Sequence, residues 1–267
     1  MSRTRREPAT WQLPAGVTRG LWQYATHPQI AYDYDDYFAL NRLFEFDEQL
    51  VREFLGPPSR SGAVVVDLGC GTGRALIPLV RRGFRGLAVD FSEHMLHVVQ
   101  EKADIEWLDI QCLHASIVEL DGIADQSIDH AISLFSTLGM IRGRDNRLRM
   151  LEHVRRVLRP GGRFVLHVHN FWYNLYDPDG PWWLLRNLIG GTFRRDLEIG
   201  DKYFPYRGVP RMFLHVFRPA ELRRDLRRVG FRFVDMVPLD PQRHRQLKWR
   251  RVASWLRANG WVVVVEV

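Results

Sequence analysis

Cysteine is scarce in this chain: two in 267 residues, Cys70 and Cys112, in different predicted elements and without paired metal-ligand spacing. Neither a disulfide framework nor an iron–sulfur site is supported. Long apolar runs are missing too, and the valine run Val262 to Val265 is far too short to span a bilayer. The start, Met1 to Arg6, is basic and polar with no apolar stretch behind it, so the expectation is a cytoplasmic protein with no membrane span. There is no internal repeat or low-complexity tract. Acidic residues are missing near the finish, where Arg243, Arg245, Lys248, Arg250, Arg251 and Arg257 gather, while Arg3, Arg5 and Arg6 make the start basic. A net charge of +7 permits attraction to nucleic acid, anionic lipid or an acidic substrate. A solvated basic face is the simpler account, so a nucleic-acid partner is possible but not favoured.

Valine beside glycine is what stands out. The run Val64-Val65-Val66-Asp67-Leu68 breaks into Gly69-Cys70-Gly71-Thr72-Gly73 and then into helix-forming sequence. β-Branched residues suit a parallel strand buried on both faces. Closely spaced glycines let the backbone take positive φ or approach a ligand that a Cβ would block. A nucleotide-like cofactor at the strand's carboxyl end is therefore expected. Dinucleotide sites space their glycines as G-x-G-x-x-G and aim a helix at a pyrophosphate, whereas the spacing here is G-x-G-x-G. Asp90 ends the next apolar run about 20 residues on, where a carboxylate accepts hydrogen bonds from both hydroxyls of a ribose. Capping of a helix at Ser92 is its plainer role. On the ribose reading, removing Asp90 weakens the cofactor and leaves global stability almost unchanged.

Residues 1–60 read as an aromatic helical lead, stopped by Gly56-Pro57-Pro58, and residues 61–267 as the main domain. From residue 63, short apolar runs alternate with helical stretches. This predicts an α/β fold, a doubly wound, mostly parallel seven-stranded sheet with helices on both faces. Strands are predicted near 63–67, 86–90, 110–115, 129–135, 163–169, 231–237 and 260–266, and helices near 74–82, 92–103, 145–158 and 219–229. Residues 170–217 break the alternation and read as a weakly regular, aromatic insertion on the substrate side. Within it, Trp182 to Leu185, Leu188 and Ile189, followed by Arg194 and Arg195, form an apolar stripe with a basic end. An intramolecular contact is expected for it rather than a membrane surface.

The glycine motif, Asp90 and the turn Leu158-Arg159-Pro160-Gly161-Gly162 before the fifth strand, in that order, resemble class I S-adenosylmethionine (SAM) dependent methyltransferases over residues 63–170. Residues 217–231 resemble that family's last helix and its exit. The resemblance implies a Rossmann-like domain that binds SAM, yields S-adenosylhomocysteine (SAH) and uses no metal. It sets the cofactor against Asp67, Gly69, Cys70, Gly71 and Gly73, against Asp90, Phe91 and Met95, and against Ala115, Ser116 and Ile117. Phe135 and Ser136, at the end of the fourth strand, face its methionine end. Family members often place an acidic residue at the adenine amine, but Ser116 stands there, which shifts adenine recognition toward backbone groups and the apolar walls Phe91, Met95 and Ile117. Tyr34 and Tyr37 resemble the aromatic positions by which such proteins close an N-terminal lid over SAM.

Methyl transfer from a sulfonium chiefly requires donor and acceptor held in line and water excluded. An amine or phenol acceptor must also lose a proton, a task suited to histidine. His167 and His169 share one face of the fifth strand. His169 is the first candidate base, with Tyr173 and His215 behind it. A core histidine bonded to a neighbour is the competing account, and the H-x-H pair has no third metal ligand in view. Three functions stay open: transfer to a nitrogen or oxygen of a small molecule, which is preferred; transfer to tRNA or another nucleic acid; and non-catalytic binding of SAM or SAH. Nothing in the sequence fixes an oligomeric state.

Overall fold

The computed structural model describes residues 8–39, 43–194 and 197–267. Arg3, Arg5, Arg6 and Arg195 lie outside the described residues. Seven strands make one sheet: β1 (Val64–Leu68), β2 (Arg85–Asp90), β3 (Ile110–His114), β4 (Ile128–Ser133), β5 (Leu158–His169), β8 (Arg232–Pro238) and β9 (Gly260–Glu266). Two further strands, β6 (Asp201–Tyr206) and β7 (Val209–His215), form a separate hairpin. The sheet order is β3-β2-β1-β4-β5-β9-β8, parallel from β3 through β5, with β9 antiparallel to both its neighbours. The order reverses beside β1, so the carboxyl ends of β1 and β4 flank the crevice where such sheets take ligands.

The helices of the lead are α1 (Arg19–Thr26), α2 (Pro28–Tyr32), α3 (Tyr34–Phe38) and α4 (Leu43–Leu55). Those of the domain are α5 (Leu76–Val80), α6 (Glu93–Glu106), α7 (Thr137–Met140), α8 (Arg144–Val157), α9 (Gly180–Phe193), α10 (Pro219–Val229) and α11 (Ser254–Arg257). The sheet is covered on both faces. Leu50 and Val51 of α4, Leu76 and Leu79 of α5 and Val99 of α6 pack on one side with Val262 and Val264. Met150 and Leu151 of α8 and Leu222 and Leu226 of α10 pack on the other with Val263 and Val265. This is why β9 reads as unbroken valine: both pleat faces are buried, each side chain contributing roughly 1.5–3 kcal/mol.

The predicted strands and helices lie within a few residues of the observed ones, with three differences. Strand β5 begins at Leu158, so the segment Leu158 to Gly162, expected as a turn before it, joins the strand where its pairing with β4 shifts register. Helix α5 starts only at Leu76, because the left-handed backbone at Gly73 (φ +77°) prolongs the loop. Residues 170–217 are also more regular than expected, holding a 3-10 turn (Trp172–Tyr176), α9 and the β6–β7 hairpin. The hairpin turns through Arg207 (φ +45°) and Gly208 (φ +81°), a two-residue connection whose two positive φ values match strand twist. The lead is built onto this insertion: at Gly20 of α1 a Cβ would sit 2.2 Å from the carbonyl oxygen of Arg211 in β7.

Candidate functional site

A cavity of about 1120 Å³, open mouth included, lies at the carboxyl ends of β1, β2 and β4. Its floor is the glycine loop. Gly69 and Cys70 donate their N–H groups to the carbonyl of Val89, which ties the loop to β2. Gly71 (φ +53°) has no atom within 4 Å of where a Cβ would stand, so its backbone faces open cavity. At Gly69 (φ +75°) a Cβ would lie 2.4 Å from Thr137 Cγ2, so that glycine serves close packing of the loop against α7. A Cβ on Gly73 would press on Val99 and Ile77, so Gly73 is a helix-packing position away from the cavity wall.

Asp90 occupies the end of β2 and lines the cavity, with one oxygen accepting from the Gly71 N–H (2.8 Å) and the other from the Ser92 N–H (2.8 Å). Both expected roles therefore meet in one side chain, since it braces the glycine loop and the start of α6 together. Each carboxylate oxygen keeps a second lone pair for a ligand hydroxyl. These two bonds run against the expectation that its removal leaves stability unchanged. Burial pushes the Asp90 carboxyl up, and the N–H bonds from Ser92 and Gly71 oppose the shift. Asp67 is buried beside it and is pushed up to about 7, by burial first, with Arg74 opposing and Asp90 adding.

Of the other expected residues, Cys70, Phe91, Met95, Ser116, Ile117, Phe135 and Tyr34 line the same cavity, whereas Ala115, Ser136 and Tyr37 do not. Ala115 donates its N–H to the carbonyl of Asp90. Phe135 and Ser136 are both left-handed (φ +54° and +63°), a costly pair for non-glycine residues. The kink puts Phe135 on the cavity wall and turns Ser136 toward β5, where its Oγ accepts the His169 N–H. Tyr37 is exposed and lies under the Arg207 guanidinium, 4.4 Å from ring centre to Cζ.

The lead roofs the cavity through polar ties that bridge long sequence distances. Asp35 of α3 accepts from the Thr72 hydroxyl of the glycine loop (2.6 Å) and pairs with Lys102 of α6 (2.5 Å). Ser92 donates its hydroxyl to the carbonyl of Ala25 at the end of α1 (2.6 Å). Arg207, in the hairpin turn, bonds the Ile30 carbonyl and the Asp33 carboxylate. These ties create a wall whose residues the sequence does not single out: Gly16 and Val17 of the lead, Tyr24 of α1, and Tyr206 of β6, which comes from the insertion expected on the substrate side. Tyr206 has a buried hydroxyl with no partner among the described residues, and burial pushes it and Tyr24 up. Tyr34 is pushed up to about 12 by burial, so all three phenols are neutral at pH 7. Arg74 also lines the cavity, its guanidinium 3.4 Å over the Phe44 ring and 3.2 Å from Glu48.

None of the three expected proton acceptors reaches the cavity wall. His167 is fully buried, its Nδ1 2.8 Å from Asp47 of α4 and its Nε2 without a partner among the described residues. His169 packs 5.3 Å from the His167 ring and bonds Asn259. Burial, then the charges of His167 and Arg243, hold it well below the usual imidazole range. Tyr173 packs on Tyr176. His215 has both ring nitrogens engaged, Nδ1 with Asp201 (2.9 Å) and Nε2 with Glu221 (3.0 Å), and is enclosed. Glu198, Asp201 and His215 could jointly face a metal ion, but their ligand atoms are already committed, Glu198 to buried Arg147 and Asp201 to His215.

The arginine-rich finish is less open than its composition implies. Arg245 pairs with Asp240 and Arg250 with Asp235, while Arg243 is half-buried, 6.0 Å over the Phe135 ring. The acidic partners come from β8 and the residues after it, which the local sequence window leaves out.

Residues 65–162 match the model of a methyltransferase domain. The demethylmenaquinone methyltransferase of Bacillus subtilis (strain 168) is 32% identical over 111 residues, 40% of this chain and 45% of that protein. The chain spans about half the length of the curated relatives it matches. Among solved structures, a SAM-dependent methyltransferase of Methanosarcina mazei superposes with a TM-score of 0.60 at 19% identity, over 78% of this chain and 94% of that one. The 1,6-didemethyltoxoflavin-N1-methyltransferase of Burkholderia thailandensis, solved with its substrate and SAH, gives 0.58 at 18% identity, over 89% and 84%. The domain match falls on the strands and loops that build the cavity, and in sequence and fold the chain is similar to SAM-dependent methyltransferases.

Proposed function

We propose that this chain binds SAM in the cavity and transfers its methyl group to a nitrogen or oxygen of a small molecule. The observation that carries this reading is Gly71, whose positive φ and vacant Cβ direction leave backbone facing the cavity directly beside Asp90. In this assignment Asp90 accepts from the sugar hydroxyls, Ser116 and Ile117 flank the base, and Asp67 and Arg74 meet the amino and carboxylate ends of the methionine. Bound SAM supplies an electrophilic methyl carbon. The chain's own contribution is to position the acceptor and exclude water, which the roof formed by α1 to α3 and the Tyr24, Tyr34 and Tyr206 wall does. Both carboxylates on that wall among the described residues, Asp67 and Asp90, are assigned to the cofactor in this reading, which favours an acceptor that needs no enzymic base or loses its proton to solvent.

A nucleic-acid acceptor is disfavoured by the pairing of Arg245 and Arg250 with Asp240 and Asp235, and by the placement of the half-buried Arg243 over Phe135. Incubation with methyl-labelled SAM and, separately, a small-molecule extract or total RNA tests the reading. Label in a small product supports it. Label in RNA, or tight SAH binding without turnover, overturns it in favour of the other two functions.

A further inference from the structure

Helix α9 carries large apolar residues on its solvent side as well as on its packed side, which an ordinary surface helix does not. Leu184, with Trp183 and Leu188, packs on Phe171, Leu214 and Val216. On the opposite side Trp182, Leu185, Ile189 and Phe193 are 67%, 48%, 53% and 82% exposed. Their helical spacing makes one stripe roughly 16 Å long. No acidic residue occurs from 180 to 194, and Arg186 lies beside the stripe. The expected intramolecular contact thus accounts for only half of this helix.

The surroundings have the same character. The 3-10 turn on which α9 packs exposes Leu175 and Tyr176. Helix α11 packs on that turn as well, with Trp255 5.6 Å from Trp172. Beside α11, Trp249 and Val252 are exposed next to Lys248 and Arg251, neither of which meets a carboxylate among the described residues.

We propose that the outward face of α9 seats the chain on an anionic bilayer surface. Tryptophan and phenylalanine suit the headgroup boundary, and arginines beside them suit anionic lipid. A second copy of the chain fits poorly, since a two-fold contact centred on the stripe would bring the two Arg186 guanidiniums together near the axis. The seated face belongs to the insertion whose hairpin carries Tyr206 to the cavity wall.

Flotation with phosphatidylcholine vesicles, with and without phosphatidylglycerol, tests this on the full chain, independently of any cofactor. Binding to the anionic vesicles that weakens with salt is expected. Trp182→Ser combined with Phe193→Ser should weaken it by at least about tenfold, and Arg186→Gln by about fivefold. Both variants alter exposed side chains, and circular dichroism verifies their fold. The proposal is overturned by absent or equal binding to the two vesicle types, by full binding of the double variant, or by a wild-type dimer that the double variant renders monomeric.

Discussion

Replacing Asp90 with alanine separates two roles that share one carboxylate. Without ligand, the change strands the N–H groups of Gly71 and Ser92, each now 2.8 Å from a carboxylate oxygen. An unsatisfied buried donor costs about 1–3 kcal/mol. Removing a carboxyl that burial has pushed up returns part of that cost. The net expectation is a loss of about 2 kcal/mol in urea denaturation. Two ligand hydroxyl bonds to a charged group vanish as well, so SAH affinity by calorimetry should fall about tenfold to hundredfold. Saturating SAH then stabilises wild type more than the variant, because binding adds a term set by ligand concentration over Kd. Asp90→Asn keeps one carbonyl acceptor and should fall between the two. A variant that loses stability yet binds SAH as wild type does would refute the sugar contact and leave Asp90 as a loop brace only. Unchanged stability would refute the bracing itself.

Asp67 predicts a pH dependence. Its folded value of about 7 lies above the ordinary carboxylate value of 3.8, so the folded chain holds a proton that the unfolded chain has lost. Stability should therefore fall as pH rises from about 4 to about 7 and level off above. Asp67→Asn should remove that slope in urea titrations, and with it any gain in SAH affinity between about pH 6 and pH 8. Asp35→Asn should loosen the roof: its pair with Lys102 is part-exposed and worth under about 1 kcal/mol in stability. SAH dissociation in stopped flow should nonetheless quicken by about threefold or more. Glu221 is opposed by burial, yet its bond and charge interaction with His215, and then Arg218, hold it down at about 2. Its stabilisation is full above about pH 4.5 and lost as pH falls toward about 2. Glu221→Gln should cost roughly 3 kcal/mol at neutral pH and flatten the acid limb of the stability curve.

The sheet was legible because its strands are buried on both faces, so β1 and β9 read as bare valine runs and the glycine loop stands out between β1 and α5. Part of the cavity's lining followed from local signals: Gly69 and Gly71 of the glycine run, Asp90 at a strand end and Phe135 after β4. What stayed hidden depends on contacts across the chain. Asp47 meets His167 from 120 positions away, and Arg207 reaches Asp33 from 174. Tyr206 enters the wall only because a two-residue turn folds the insertion back onto α1. The histidine candidates fail for a related reason. Strand spacing places His167 and His169 on one face, but whether that face meets a ligand or a helix is decided by α4, which supplies Asp47.

Calorimetric titration of the purified chain with SAH, beside Gly71→Met, tests the central claim most directly. The account predicts one saturable site in the wild type, and its loss in a variant whose added side chain fills the open space over Gly71 while the protein stays folded. No association of SAH or SAM at concentrations up to the millimolar range, or equal binding by both proteins, would contradict it.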